Sequence, residues 1–404
     1  VSKQELKLKT IKSLCVKNEN LHMIFSYNLF SKKIEIKGEC PWGGQGDLTD
    51  ADLIQLKYYL SVVHGKEYPV YIINEALLIQ AMEQTYHPIK DYLNSLKWDG
   101  IGRLRSWMVE ICGAVRDQYI EDISEIVLCA AIKRIYEPGC KFDYMSILEG
   151  DQGIGKTTLL QILGGEWYIN AHLSTNESKK DLIDLMRKAW IIEISELSGF
   201  KKAAIEDIKN FISCETDRVR MPYARNSEDF PRHNIFIGTH NPSGDNQYLR
   251  DDTGNRRFWP VSCADIDIEK AKKWKDQLWA EAMIRYKKID MYLTSNDSLL
   301  ILKDYHSDRE SHNPWDDMIQ EYIVDKQAVF NKTILKDVFH LDVGKLSYLE
   351  MQSKATAIGK KMKREGWVKG DNKKRGWYFK PGFEHLAGEG EEQMEMGEVG
   401  DWDD

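Results

Sequence analysis

Gly150-Asp-Gln-Gly-Ile-Gly-Lys-Thr157 follows the apolar run Met145-Ser-Ile-Leu148 and precedes Thr158-Leu-Leu-Gln-Ile-Leu163. The spacing is G-x-x-x-x-G-K-[ST], and its flanks read as a buried strand before the loop and a helix after it. Backbone N–H groups of such a loop can face phosphate oxygens, and the helix start adds positive potential. The pattern therefore predicts a nucleotide-binding turn, a P-loop, made by Gly150, Asp151, Gln152, Gly153, Ile154, Gly155, Lys156, Thr157 and Thr158. Lys156 is expected to reach the β- and γ-phosphates of ATP, and Thr157 to hold Mg2+.

Hydrolysis further requires a carboxylate at the end of a neighbouring strand. Ala189-Trp-Ile-Ile-Glu-Ile-Ser-Glu196 offers two. Glu196 falls where the strand should open onto the site and is the preferred catalytic or metal-associated acid. Glu193 lies within the apolar run, where an unpaired acid is costly, and is the second candidate. A third apolar run, Ile235-Phe-Ile-Gly-Thr-His240, ends at Asn241. Its amide either senses the γ-phosphate or is an ordinary turn residue before Pro242. Asp251-Asp-Thr-Gly-Asn-Arg-Arg-Phe-Trp259 then places Arg256 and Arg257 side by side. They read either as arginines set into a neighbour's active site or as a surface pair bonded to Asp251 and Asp252.

Outward from this centre, the chain divides into segments of different character. Residues 1–141 carry a small alternating stretch, Ile24 to Ile36, and then helical periodicity at Leu53 to Leu60, Asn74 to Gln84, Ile89 to Leu96, Arg103 to Cys112 and Asp122 to Tyr136. They predict a mainly helical domain. Residues 142–306 alternate strands and helices, as an α/β sheet domain does, and end in helical sequence from Ile268 to about Tyr305. A polar hinge, Ser307 to Pro314, leads to 315–384, which reads as three helices and a hairpin over Gly366 to Phe379, a winged-helix-like unit. Between Lys326 and Glu384 there are 14 Lys and Arg against 6 Asp and Glu. This local excess makes Lys373, Lys374 and Arg375 candidates for holding duplex DNA, or else solvated charges on a packing module.

The net charge of −8 over 404 residues has one source. Residues 388–404 hold eight acids and no base, and the remainder is balanced. That segment is too polar to bury a core and predicts a disordered acidic tail, either solvated or an interaction tail with Trp402 as its anchor. The seven cysteines show no C-x-x-C pair and no zinc spacing, so buried thiols are expected. No run approaches the ~18 apolar residues of a membrane span, and the first residues lack a secretory pattern. A cytoplasmic protein with no membrane partner is expected.

The elements together resemble the virulence-associated protein E family of phage and mobile-island proteins, related to superfamily-three helicases. The resemblance is carried by His87-Pro-Ile-Lys-Asp-Tyr-Leu-Asn-Ser-Leu-Lys-Trp-Asp-Gly100, the Gly150 to Thr157 loop, Glu193-Ile-Ser-Glu-Leu197, Asp217-Arg-Val-Arg-Met-Pro-Tyr-Ala-Arg225 and Leu249-Arg-Asp-Asp-Thr-Gly-Asn-Arg-Arg-Phe-Trp-Pro260. It implies an AAA+-like core that assembles as a ring, a homo-hexamer, and moves along single-stranded DNA in a bacterial host's cytoplasm. It also implies a hairpin projecting into the ring channel. Arg218, Arg220, Tyr223 and Arg225 would there supply phosphate contacts and one stacking platform. The acid motif is Glu-x-x-Glu, where many helicases carry adjacent acids, so the roles of Glu193 and Glu196 stay open. The expected function is an ATP-driven DNA helicase or translocase for replication of a mobile element. The alternative is an ATP-switched initiator or loader that does not unwind processively, and a regulator indifferent to DNA ranks third.

Overall fold

The alternation within residues 24–36 produces a hairpin in which β1 (Phe25–Asn28) runs antiparallel to β2 (Lys33–Ile36), with Phe25 and Ile36 turned into the interior. The structure, a computed structural model, describes residues 9, 11–13, 18, 21, 23–171, 179–195, 208–219, 227–241, 255–307, 309, 315–342, 345, 347–370 and 376–382. Short strands β3 (Gly46–Asp47) and β4 (Thr85–Tyr86) complete a small sheet in the order β3-β2-β1-β4. Helix α1 (Asp50–His64) starts at Thr49, whose side chain accepts from the Asp52 amide while the Asp52 carboxylate returns to Thr49. It stops at Gly65, which takes the left-handed conformation that a residue with a Cβ resists. With α2 (Val70–Ala81), α1 covers the sheet through Leu56, Leu60, Ile72, Ile73 and Leu77. The predicted Asn74 to Gln84 helix thus begins a turn earlier, directly after Pro69.

Three helices follow: α3 (Pro88–Ser95), α4 (Trp107–Cys112) and α5 (Gln118–Tyr136). Helix α4 starts four residues later than its periodicity predicts. The amides of Arg103 and Leu104 donate instead to the Glu281 carboxylate, at 2.6 and 2.9 Å, so these residues are held outside the helix. Residues between Ile11 and Ala81 build one core, whereas Phe30, α4 and α5 belong to a second core shared with the parallel sheet. The segment read as a single helical domain is divided between them.

That sheet contains β5 (Met145–Glu149), β6 (Tyr168–Ala171), β7 (Ile191–Ile194), β10 (Ile235–His240) and β11 (Phe258–Ser262). All pairs are parallel and the order is β11-β5-β10-β7-β6. Between these strands lie α6 (Lys156–Gly164), α7 (Lys179–Met186) and an antiparallel hairpin of β8 (Thr216–Val219) and β9 (Glu228–Pro231). Alternate residues face opposite layers, the two-residue period of a strand. Ile191, Ile235, Ile237, Trp259 and Val261 join the large core with α4, α5, α6 and α8 (Ile268–Arg285); Ile192, Ile194, Phe236 and Phe258 join a smaller one on the other face. A sheet covered on both faces explains why these strands read as continuous apolar runs.

Indole N–H groups tie the layers together. Trp190 donates to the Ala131 carbonyl of α5 at 2.9 Å, and Trp279 donates to the Leu163 carbonyl of α6 at 3.1 Å. The two rings lie 4.2 Å apart, fully buried. The helical sequence expected from Ile268 to Tyr305 is interrupted between α8 and α9 (Asn296–Ser307), because the Ser295 carbonyl and side chain begin a new helix.

The chain forms two compact units, 1–310 and 311–404. In the second, α10 (Trp315–Ile323), a short helical segment 331–338 and α11 (Tyr348–Arg364) pack with a three-stranded sheet in the order β12-β14-β13, made of β12 (Ala328–Phe330), β13 (Val368–Lys369) and β14 (Trp377–Phe379). Strand β12 has no counterpart in the sequence reading, since three residues show no usable period. Its pairing with β14 supplies the sheet edge that the hairpin alone would leave open.

Two stability predictions follow from buried charge. Arg232 grips Asp217 with two bonds of 2.6 and 2.9 Å, both side chains being almost wholly buried. Asp217→Ala strands the guanidinium, so chemical denaturation should show a loss of about 3–5 kcal/mol. Burial pushes the His233 pKa down to about 3, and its Nε2 is sealed from solvent without a partner. The unfolded chain binds a proton there below about pH 6.5 while the folded chain does not. Stability should therefore fall by up to about 1.4 kcal/mol per pH unit from about pH 6.5 towards 4, and His233→Phe should flatten that part of the profile.

Candidate nucleotide site

The loop between β5 and α6 lies at the carboxyl edge of the parallel sheet, the edge at which open α/β sheets bind ligands. Its glycines are required by space and conformation. Gly153 and Gly155 have φ of 90° and 100°. A Cβ on Gly150 would sit 2.7 Å from the Cys263 carbonyl oxygen and 2.6 Å from Ile154 Cδ1. Helix α6 opens at Gly155 with no side-chain cap, which leaves the first amides of the helix to whatever enters the loop.

Lys156 is buried, and its ammonium folds back onto the loop, donating to the carbonyls of Gly150 at 2.6 Å and Asp151 at 2.8 Å. Burial pushes its pKa down from the ordinary lysine value. Asp151, Gln152, Gly153 and Thr158 are exposed, while Ile154 and Thr157 are half-buried.

Thr157 donates its hydroxyl to Glu193 Oε1 at 2.9 Å. Glu193, at 0% exposure, also accepts from Thr239 at 2.6 Å and from the Tyr168 hydroxyl. Burial and the neighbouring carboxylate raise the Tyr168 pKa. The acid is thus held by hydroxyls from α6, β6 and β10 at once, and it lies beside Thr157 of the glycine loop. Glu196 lies outside the described residues. Asn241 is exposed directly after β10.

The two arginines lie elsewhere. Arg256 and Arg257 close a single helical turn before β11, whose first residue, Phe258, is registered against Met145, the first residue of β5. They therefore sit at the amino edge of the sheet. The loop follows Glu149, at the other end of a strand about 16 Å long. Neither arginine reaches the glycine loop of its own chain.

Arg218, on β8, is exposed and 3.6 Å from Asp229 across the hairpin, where an ion pair contributes little. Arg220, Tyr223 and Arg225 lie outside the described residues, as do Lys373, Lys374, Arg375 and the acidic segment 388–404. Among the described residues no helix is long and apolar enough to cross a membrane, and no cluster of His, Cys, Asp and Glu forms a metal cage.

Sequence reasoning missed four residues around the loop. Tyr168 and Thr239 complete the shell of Glu193. Glu149, one residue before Gly150, is buried and gripped by Arg309 through two bonds of 2.5 Å, with Ser262 3.0 Å from the same guanidinium. The polar ends of three apolar runs were visible in the sequence, but which ends adjoin is a property of strand order.

With this geometry in view, the family can be assigned. A model of the virulence-associated protein E-like domain matches residues 93–311. The chain belongs to this family. The matched segment runs from α3 through the sheet to Arg309, so the virulence-associated protein E-like domain contains the entire glycine-loop site. No curated protein matches the chain. Among solved structures, the A form apo structure of the NrS-1 C-terminal region is similar at 14% identity, covering 78% of this chain and 87% of that one with a TM-score of 0.45. The A form apo structure of the 305–718 region of NrS-1 is similar at 12% identity, over 82% and 89%, with a TM-score of 0.46.

The hydroxyl shell of Glu193 can be tested directly. Hydrogen bonds to charged groups contribute about 1.5–3 kcal/mol, so Tyr168→Phe and Thr239→Val should each lower stability by that order in chemical denaturation. Unchanged denaturation midpoints would remove Glu193 from this network.

Proposed function

We propose that this virulence-associated protein E-like chain is a P-loop ATPase with an AAA+-like core that works as a ring, a homo-hexamer, on single-stranded DNA. On this reading it is a helicase or translocase for replicating a phage or other mobile element. The observation that carries the proposal is the convergence of Lys156 and the Thr157–Glu193 pair on one glycine loop, at the carboxyl edge of a parallel sheet.

ATP and Mg2+ fit the residues present. The uncapped start of α6 and the loop amides suit phosphate oxygens. Lys156 would exchange its two carbonyl contacts for the β- and γ-phosphates. Thr157 and Glu193, hydrogen-bonded to one another, would hold the metal. Bound Mg2+ supplies neutralisation of charge on the phosphoryl oxygens. Asp151 to Thr158 would line the nucleotide, Asn241 would sense the γ-phosphate from the next strand, and Glu196 remains a second acid for orienting water.

The position of the arginines favours a ring. Because Arg256 and Arg257 face away from their own loop, they can serve a phosphoryl group only in a neighbouring protomer. The exposed Arg218, with Arg220, Tyr223 and Arg225, would meet single-stranded DNA, and Lys373, Lys374 and Arg375 of a winged-helix-like second unit would meet duplex DNA at an origin. The acidic segment would be available to a replication protein, in the cytoplasm of a bacterial host.

Lys156→Ala should abolish ATP hydrolysis, and Glu193→Gln should slow it while nucleotide still binds. Arg257→Ala should reduce the rate by ~10³ or more without loss of binding. Mixing the Lys156→Ala and Arg257→Ala proteins should restore part of the activity, because some interfaces then hold both intact residues. A protein that stays monomeric with nucleotide and leaves ATP untouched in the presence of single-stranded DNA would sink the proposal. Hydrolysis without strand displacement on a forked duplex would assign the chain to the switch class.

A further inference from the structure

The second unit contains a groove of about 840 Å³ between one face of α11, the short helical segment and the three-stranded sheet. Its walls are mostly apolar, with Phe330, Leu335, Met351, Trp367 and Tyr378, and also carry Asn331, Gln352 and Thr356. Leu335, Trp367 and Tyr378 are buried, so the aromatic rings form a floor and are not exposed stacking platforms. Lys332, Lys363 and Lys369 stand exposed at the rim, and among the described residues no acidic side chain lines the groove.

An apolar trough with a positive rim fits a ligand that is acidic and carries a few apolar side chains. The chain contains such a ligand. Residues 389–404 combine eight acids and no base with Met394, Met396, Val399 and Trp402. The segment starts seven residues beyond Gly382, the last described residue after β14. At about 3.3 Å per residue, those seven can span ~23 Å, and the whole stretch to Asp404 about 70 Å, enough to return over a neighbouring helix.

We propose that residues 389–404 dock in this groove of their own chain, with Trp402 and the methionines on the apolar floor and the carboxylates against the three rim lysines. The segment then covers one basic face of the second unit and must leave before another polyanion can take that face. This proposal is independent of the nucleotide reading. It stands on charge complementarity between a lysine-rimmed groove and the acidic segment tethered beside it.

Hydrogen exchange on the full chain and on a chain ending at Ala387 provides the test. Amides of 351–363 should exchange about tenfold more slowly in the full chain. Lys332→Glu, Lys363→Glu and Lys369→Glu together, in the full chain, should bring them to the rate of the shortened one. A fluorescent peptide of residues 388–404 should bind the shortened chain more tightly than the full chain, where the groove is already taken. Its affinity should fall about tenfold between about 50 and 300 mM salt. Equal exchange in the two chains, with no peptide binding to the shortened one, overturns the proposal without reference to the lysine variant. Protection that rises with protein concentration overturns it in favour of a second copy, and binding of an oligonucleotide but not the peptide overturns it in favour of nucleic acid.

Discussion

A carboxylate without solvent contact must be compensated by hydrogen bonds or it destabilises the fold. Glu193 meets this condition with three hydroxyls, from Thr157, Tyr168 and Thr239, which belong to three elements meeting at one end of the sheet. Only this strand order brings them together: β6 on one side of β7, β10 on the other, and α6 running from the loop above. The interaction therefore sets the register of the sheet's carboxyl edge and, through Thr157, the start of the glycine-loop helix.

The same edge carries a second buried acid. Glu149 is held by Arg309 and ends the strand from which the loop departs, while the Cys263 amide donates to the Glu149 carbonyl and the Cys263 carbonyl blocks any side chain at position 150. The loop is thus confined by backbone on one face and by a charged pair below it. A turn so fixed keeps its amides pointed in one direction. Lys156 makes its own contacts within the loop, donating to the carbonyls of Gly150 and Asp151.

The two edges of the sheet carry different groups. Loop, threonine and acid lie at the carboxyl edge, and the paired arginines lie at the amino edge, at opposite ends of the strands. The layers between are held by large buried indoles whose N–H groups are satisfied by helix carbonyls, a rigid spacer between the two edges.

Much of the fold was legible from residue order. Three apolar runs, the glycine spacing and the helical periods of α1, α3, α5, α8 and α11 each follow from local chemistry: a strand buried on both faces is continuously apolar, a tight turn needs glycine, and an amphipathic helix shows a 3.6-residue period. The family resemblance was legible for the same reason, since its motifs are contiguous. What remained to the tertiary structure was adjacency. Glu193 takes its place beside Thr157 because β7 lies in the sheet with β10 and β6, and nothing local to Ile191-Ile-Glu-Ile194 encodes that. Likewise Glu281 delays α4, Arg309 finds Glu149, and β12 finds β14 through contacts over long chain separations. The sequence by itself determined which segments form strands, turns and helices and which carry charge. The packing of those segments decided which charges meet, because burial and hydrogen bonding are satisfied in space and not along the chain.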